Sequence, residues 1–273
     1  MIVYGILAEV SISRLFAAGV LPGIMVAGLF SVYIVVRALI TPDVAPKADT
    51  KYKLRQFGSA IVDLLPIISL MVIVLGAIYS GIATPSEAAA VGVFGAVVIT
   101  IFLRQFSIAM LVRTLLGAVV SSAMICSILI AAAFLSTAMG YLHIPTQVAT
   151  SIGSMHLSPV MLIVVLTLFY LVLGLFLDGV SIIVMSLPIT LPLAMQAGID
   201  PVWFGIFLIV TVELGQITPP VGFNLFILQS LTGQSVGRVA VYALPFFILM
   251  LVAIALLVVF PEIALWLPGF LYD

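Results

Sequence analysis

The chain has 273 residues, of which 64% are hydrophobic and only 7% charged, with a formal net charge of −1. Soluble domains carry about 25% charged residues, so this chain cannot cover itself with a solvated surface, and a charge near zero argues against a nucleic-acid partner. The single cysteine, Cys126, rules out an internal disulfide framework and reads as a small apolar core residue.

Runs of roughly 20 apolar residues recur along most of the chain, the pattern of an all-α polytopic membrane protein in a lipid bilayer. No cleavable signal peptide is expected, because the first residues lack a basic n-region. "MIVYGIL" is apolar but too short to span a bilayer before Glu9. Either it is a short interfacial piece or Met1 lies inside something longer. The first full span is expected over Val20 to Ile40. Residues 41–56 then carry Lys47, Lys51, Lys53 and Arg55, the densest basic cluster, which the positive-inside rule keeps in the cytoplasm. The next span runs from Phe57 to Tyr79. In "GIATPSEAAA" Thr84 is placed as N-cap, Pro85 at N1 and Glu87 at N3 of a capping box. A third span, Ala88 to Leu103, ends near Arg104 and Arg113, again cytoplasmic, and a fourth, Leu115 to Tyr141, returns outward. Residues 143–158 are less apolar and hold both histidines, His143 and His156; they read as an interfacial helix.

Residues 160–197 are two apolar arms around "LDGVS". They make either two short spans or a re-entrant hairpin with Asp178 at its tip. Pro201 to Leu231 then crosses once and puts Arg238 in the cytoplasm. A last span, Ala240 to Phe260, leaves Trp266 and Tyr272 outside as interfacial anchors.

The crossing from Pro201 contains "ELGQITPPVGFN", residues 213–224. Proline removes an amide donor and clashes with the preceding turn. Pro219 and Pro220, flanked by Gly215 and Gly222, should therefore unwind about a turn. Irregular backbone survives at membrane depth only where it is buried in protein or lines a polar cavity. Freed carbonyls suit Na⁺, and half-helix N-termini suit anions. Thr218 adds a hydroxyl and Asn224 an amide. The competing reading is a simple proline kink. The tip "GLFLDGVS" would be the matching half: Gly174 and Gly179 permit a tight turn, and Asp178 and Ser181 supply oxygens. Glu213 either binds a cation or proton or pairs structurally, and Asp63, near Pro66, reads as a packing residue. "SISRLFAAGVLPGIM" (residues 11–25) and "SVGRVAVYALPFFIL" (235–249) share Ser, Arg and a Leu-Pro pair taken to open a span. The expected sides of Arg14 and Arg238 relate them by inversion.

"GIATPSEAAAVG", "LGLFLDGVSIIVMSLPITLPL", "GIDPVWFGIFLIV" and "ELGQITPPVGFNLFIL" resemble the large permease subunit of tripartite ATP-independent periplasmic (TRAP) transporters. Gln216 and Ser86 stand where other residues are common in that family. The resemblance covers the C-terminal part of the family's length. It implies the second half of an inverted-repeat, elevator-type transporter with a re-entrant hairpin and a discontinuous helix. A missing N-terminal half of the permease is then expected. Residues 1–19 become a remnant of the first repeat's broken helix with its outer connector, and 20–57 a span plus the basic loop. Residues 58–142 become scaffold and arm helices, 159–239 the transport domain, and 240–273 the last span with a periplasmic tail. The implied activity is Na⁺-coupled import of organic anions, C4-dicarboxylates or other carboxylates, across a bacterial inner membrane. A periplasmic substrate-binding protein and a small membrane subunit are the implied partners. Carried over by motif, the second of the family's Na⁺ sites falls on Gly174, Gly215, Thr218 and Val221, the first Na⁺ site and much of the substrate pocket being expected in the missing half; Asp178, Ser181, Pro219, Pro220 and Asn224, read from the residues above, are assigned to the cavity. No organic cofactor is implied. The alternatives are a non-transporting scaffold or assembly fragment and a carboxylate transporter of a related inverted-repeat family. An intramembrane hydrolase would need two carboxylates held in one cavity, and no paired motif is visible.

Overall fold

The computed structural model describes residues 1–41, 54–143, 147, 158–218 and 222–272. Regular structure among them is helical, as hydrocarbon demands of any chain that must satisfy its own amides and carbonyls. In chain order the helices are α1 (Ile2–Leu7), α2 (Ile12–Ile40), α3 (Leu54–Tyr79), α4 (Pro85–Phe102) and α5 (Ile108–Tyr141). They continue as α6 (Pro159–Gly174), α7 (Gly179–Gln196), α8 (Pro201–Gln216), α9 (Phe223–Thr232), α10 (Val236–Val259) and α11 (Glu262–Tyr272). Of these, α2, α4, α5, α7 and α10 are long and apolar enough to cross a membrane.

Several expectations change in detail. The first span starts at Ile12 rather than Val20, so part of the supposed outer connector is helix. The two Leu-Pro pairs do not open their helices, because Pro22 lies inside α2 and Pro245 inside α10. Membrane helices tolerate such prolines where neighbouring groups re-satisfy the freed carbonyl. Cys126 is exposed on α5, not a core residue; α5 is apolar all round, and its described side chains pack little within the chain. "MIVYGIL" is one helical turn and a half whose Tyr4 is fully buried. The interfacial helix expected over 143–158 falls almost wholly outside the described residues, as does the basic cluster from Lys47 to Lys53. His143 closes α5 with a positive φ of 53°.

The chain divides into two compact units. Residues 33–123 form one. In it α3 and α4 pack antiparallel across a turn whose Gly81 has φ +70°. A Cβ on Gly95 would fall 2.7 Å from Leu70 Cδ1, so the glycine is what lets the helices approach. The capping box is present: Thr84 N donates to Glu87 Oε2 at 2.8 Å, and Glu87 N donates to Thr84 Oγ1 at 3.3 Å.

Residues 1–32 with 124–273 form the other unit. Its centre is α8, buried on nearly every side against α6, α7, α10 and α11. A helix apolar all round belongs inside a bundle. Trp203 stacks on Phe207 at 5.7 Å and donates its indole N–H to the Leu257 carbonyl at 3.2 Å, tying α8 to the last turn of α10. Tyr4 donates to the Pro201 carbonyl at 2.6 Å and lies against Gly205, where a Cβ would come within 2.6 Å of its ring. The arms α6 and α7 are held together by a buried hydroxyl cluster: Tyr170 donates to Thr190 Oγ1 at 2.8 Å, and Ser186 donates to Tyr170 at 3.2 Å.

Candidate functional site

Length sets α6 apart from α7, whose 18 residues reach the lower end of a membrane span. At 1.5 Å per residue, α6 with its 16 residues is about 24 Å long, short of a hydrocarbon core about 30 Å thick. It ends at Gly174, and the chain reverses within residues 175–178 before α7 begins. The first turn beyond α6 tightens: Leu175 N donates to Val172, and Phe176 N and Leu177 N both donate to Leu173. Asp178 is the N-cap of α7. Its Oδ2 accepts from Val180 N at 3.1 Å and Ser181 N at 3.2 Å, and the Ser181 hydroxyl donates to Oδ1.

α8 also has 16 residues and stops at Gln216. α9, with 10 residues, resumes at Phe223. The expected interruption is therefore real, and neither piece is long enough alone to cross. Around it, Thr218 N donates to Gly215 O at 3.2 Å and Gly222 N to Thr218 O at 3.0 Å. Thr218 Oγ1 donates to Leu214 O at 2.8 Å, so its one proton points back into the helix and its lone pairs point away. Pro219, Pro220 and Val221 lie outside the described residues. α9 starts from Gly222 without a side-chain cap, and Asn224, half-buried, is its second residue.

Tip and break meet main chain to main chain. A Cβ on Gly174 would lie 2.5 Å from Gly215 Cα and 2.6 Å from its carbonyl carbon. One on Gly215 would lie 2.9 Å from the Tyr170 carbonyl and 3.1 Å from Gly174 Cα. Two helix ends that close bring their terminal carbonyls into one place; the Gly215 carbonyl accepts from Thr218 N and keeps a second lone pair. Next to the crossing, a Cβ on Gly179 would meet Gln216 Nε2 at 2.6 Å, so the Gln216 amide covers the start of α7. Gly174 and Gly215 thus touch, and Thr218 is bonded to Gly215 through its amide. Asp178 and Ser181 flank the crossing but are bonded to each other and to the α7 amides. Glu213 is exposed and lines, with Asp178, a cleft of about 570 Å³ whose walls include Ile183, Ile209 and Val212.

Two contributors were not singled out from sequence: Gln216, through its amide over Gly179, and Tyr170, through its carbonyl against Gly215. Gln216 sat between Gly215 and the prolines and was readable as part of the break. Nothing local marked Tyr170, because its role follows from the crossing itself.

The chain matches, over residues 1–263, the family described as the tripartite ATP-independent periplasmic transporter, DctM component. It is similar to a C4-dicarboxylate TRAP transporter large permease protein of Pseudomonas aeruginosa, 36% identical over 99% of this chain and 63% of the relative. It is also similar to an ectoine/5-hydroxyectoine TRAP large permease protein of Ruegeria pomeroyi, 31% identical over 98% of this chain and 62% of the relative. A sialic acid TRAP permease protein of Haemophilus influenzae is 27% identical, over 99% of this chain and 44% of the relative. The chain therefore spans less than two thirds of the length of these relatives; the matches give the expected missing half no support of their own.

Proposed function

The chain belongs to the DctM-component family of tripartite ATP-independent periplasmic transporters, and from that premise we propose that it is the part of a secondary transporter's large permease that carries one Na⁺ site and one wall of an organic-anion site. The observation that carries the reading is the Gly174–Gly215 crossing. Na⁺ is a hard cation that takes oxygen ligands, and two helices with glycine at or next to the last residue supply them without a side chain at the crossing. In this reading the Gly174 and Gly215 carbonyls, the Thr218 hydroxyl and the Val221 backbone hold the ion. Thr218 suits the role because its proton is already committed to Leu214.

The two half-helix N-termini then divide the work. The amides that open α7 are already taken by the Asp178 carboxylate. Those that open α9 have no side-chain cap. A helix N-terminus attracts anions, so the substrate carboxylate sits at Gly222 to Asn224, beside the broken segment that holds Na⁺. Coupling follows, because ion and anion stabilise the same stretch of backbone. The cleft lined by Asp178 and Glu213 repels an anion, so the substrate does not sit there. In this reading residues 159–239 take part in an elevator step, in which α6 and α7 travel with α8 because both pack on it. A periplasmic binding protein delivers the substrate, and a small membrane subunit and a bacterial inner membrane complete the system. The substrate is a C4-dicarboxylate or another small organic acid; relatives named for ectoine and sialic acid set the breadth of that class.

Na⁺-dependent unfolding of the purified chain tests the ion site directly. A ligand at a hundred times its Kd stabilises by about 2.7 kcal/mol. Na⁺ should raise the unfolding midpoint where K⁺ does not, and Thr218→Ala should remove most of that rise while leaving the K⁺ midpoint nearly unchanged. Equal midpoints in the two salts would overturn the assignment.

A further inference from the structure

We propose that the cleft between the end of α9 and the start of α10 is a binding site for an anionic phospholipid, its headgroup on Arg238 and an acyl chain along Phe30, Leu228 and Phe246. The cleft holds about 540 Å³ and is lined by two kinds of residue. Thr232, Gln234, Arg238 and Tyr242 are exposed and form its polar rim; Phe30, Ile217 and Phe246 are half-buried and form its apolar floor, with Leu228, exposed, beside them.

The rim fits a phosphate. Arg238 Nη1 donates to Gln234 Oε1 at 2.8 Å, which fixes the guanidinium and uses one of its five N–H donors. Among the described residues no carboxylate lines the cleft, so the cation is not neutralised inside it. α10 begins at Val236, and its first-turn amides add a positive dipole at the same rim. Tyr242, one turn beyond Arg238 and 61% exposed, adds a phenol beside the guanidinium, the residue type enriched at membrane interfaces. The floor fits hydrocarbon. Phe30 and Phe246 meet edge to face at 5.0 Å, and buried Leu225, Val239 and Ala240 pack α9 onto α10, Val239 lining the cleft as well.

A soluble anion would satisfy the rim and leave the aromatic floor wet. A neutral lipid would fill the floor and leave Arg238 without a counter-charge. A phospholipid with a net negative head satisfies both. The positive-inside rule puts Arg238 on the cytoplasmic side, where anionic lipids give the leaflet a negative potential. Because Ile217 is the first residue past α8, the acyl chain would lie against the broken segment. The binding claim itself does not depend on the transport reading and is read without any transport assay.

Native mass spectrometry of the detergent-purified chain, given equal amounts of phosphatidylglycerol and phosphatidylcholine with the same acyl chains, tests it. Retained phosphatidylglycerol should exceed phosphatidylcholine about fivefold, the effect of one cation near an anionic headgroup. Arg238→Gln should bring the ratio close to one, while Arg104→Gln leaves it unchanged. Phe246→Trp supplies a second readout: the quenching it adds to that of Trp203 and Trp266 in the unsubstituted chain should be larger with brominated phosphatidylglycerol than with brominated phosphatidylcholine. Equal retention of the two lipids, or a ratio that survives Arg238→Gln, would overturn the site. Displacement of phosphatidylglycerol by an equal concentration of soluble glycerol phosphate would overturn the lipid as occupant.

Discussion

At Gly174 and Gly215 a hydrogen atom is all the side chain the crossing admits. A methyl on Gly174 would overlap backbone, not a flexible side chain, so the helices must part to accept it. Overpacking of this kind costs about 1–3 kcal/mol. Gly174→Ala and Gly215→Ala should each lower the unfolding midpoint in K⁺ and also abolish the extra stabilisation by Na⁺. A variant that loses stability but keeps its full response to Na⁺ would show the glycines to be packing residues only. Thr211, fully buried a turn before Gly215, has a hydroxyl without a partner among the described residues. Thr211→Val keeps the shape and removes an unsatisfied polar atom, so it should stabilise by about 1 kcal/mol; a loss of Na⁺ response instead would draw Thr211 into the ion site.

The helix ends are where sequence spoke most clearly. Pro219 and Pro220 announced an interruption, and α8 stops three residues before them. Thr84, Pro85 and Glu87 announced a capping box, and both of its hydrogen bonds are present. Asp178 was read only as a source of oxygens, yet it caps α7. The D-x-x-S spacing carried that alternative, since a cap residue bonds amides two and three residues on. The cap makes a clear distinction: Asp178→Asn, itself a good N-cap, should be close to neutral, and Asp178→Ala should cost about 1 kcal/mol by thermal unfolding. Asparagine as damaging as alanine would mean that the charge has a use beyond the cap. A proline does not by itself mark a helix boundary: Pro22 sits inside α2, which begins at Ile12.

Across the whole molecule, stability is concentrated around α8. Trp203 ties it to α10 through the Leu257 carbonyl. Trp203→Phe leaves that carbonyl unpaired in the core, which should cost about 1–3 kcal/mol, measured by thermal unfolding. Amide exchange in detergent should be slowest in α8, because exchange from a central buried element requires the larger opening. Faster exchange in α8 than in α4 would contradict its place as the centre of its unit.

The sequence by itself determined that this is a helical membrane protein, and it pointed to a turn near Asp178 and an interruption after Gln216. These features are written in local chemistry: apolar runs, adjacent prolines and cap residues act on the few residues around them. Only the tertiary structure decided that Gly174 touches Gly215, that Gln216 lies over Gly179, and that Asp178 closes one half-helix while the other stays uncapped. Those contacts join residues far apart in the chain, and a glycine signals only that something can come close, never what does.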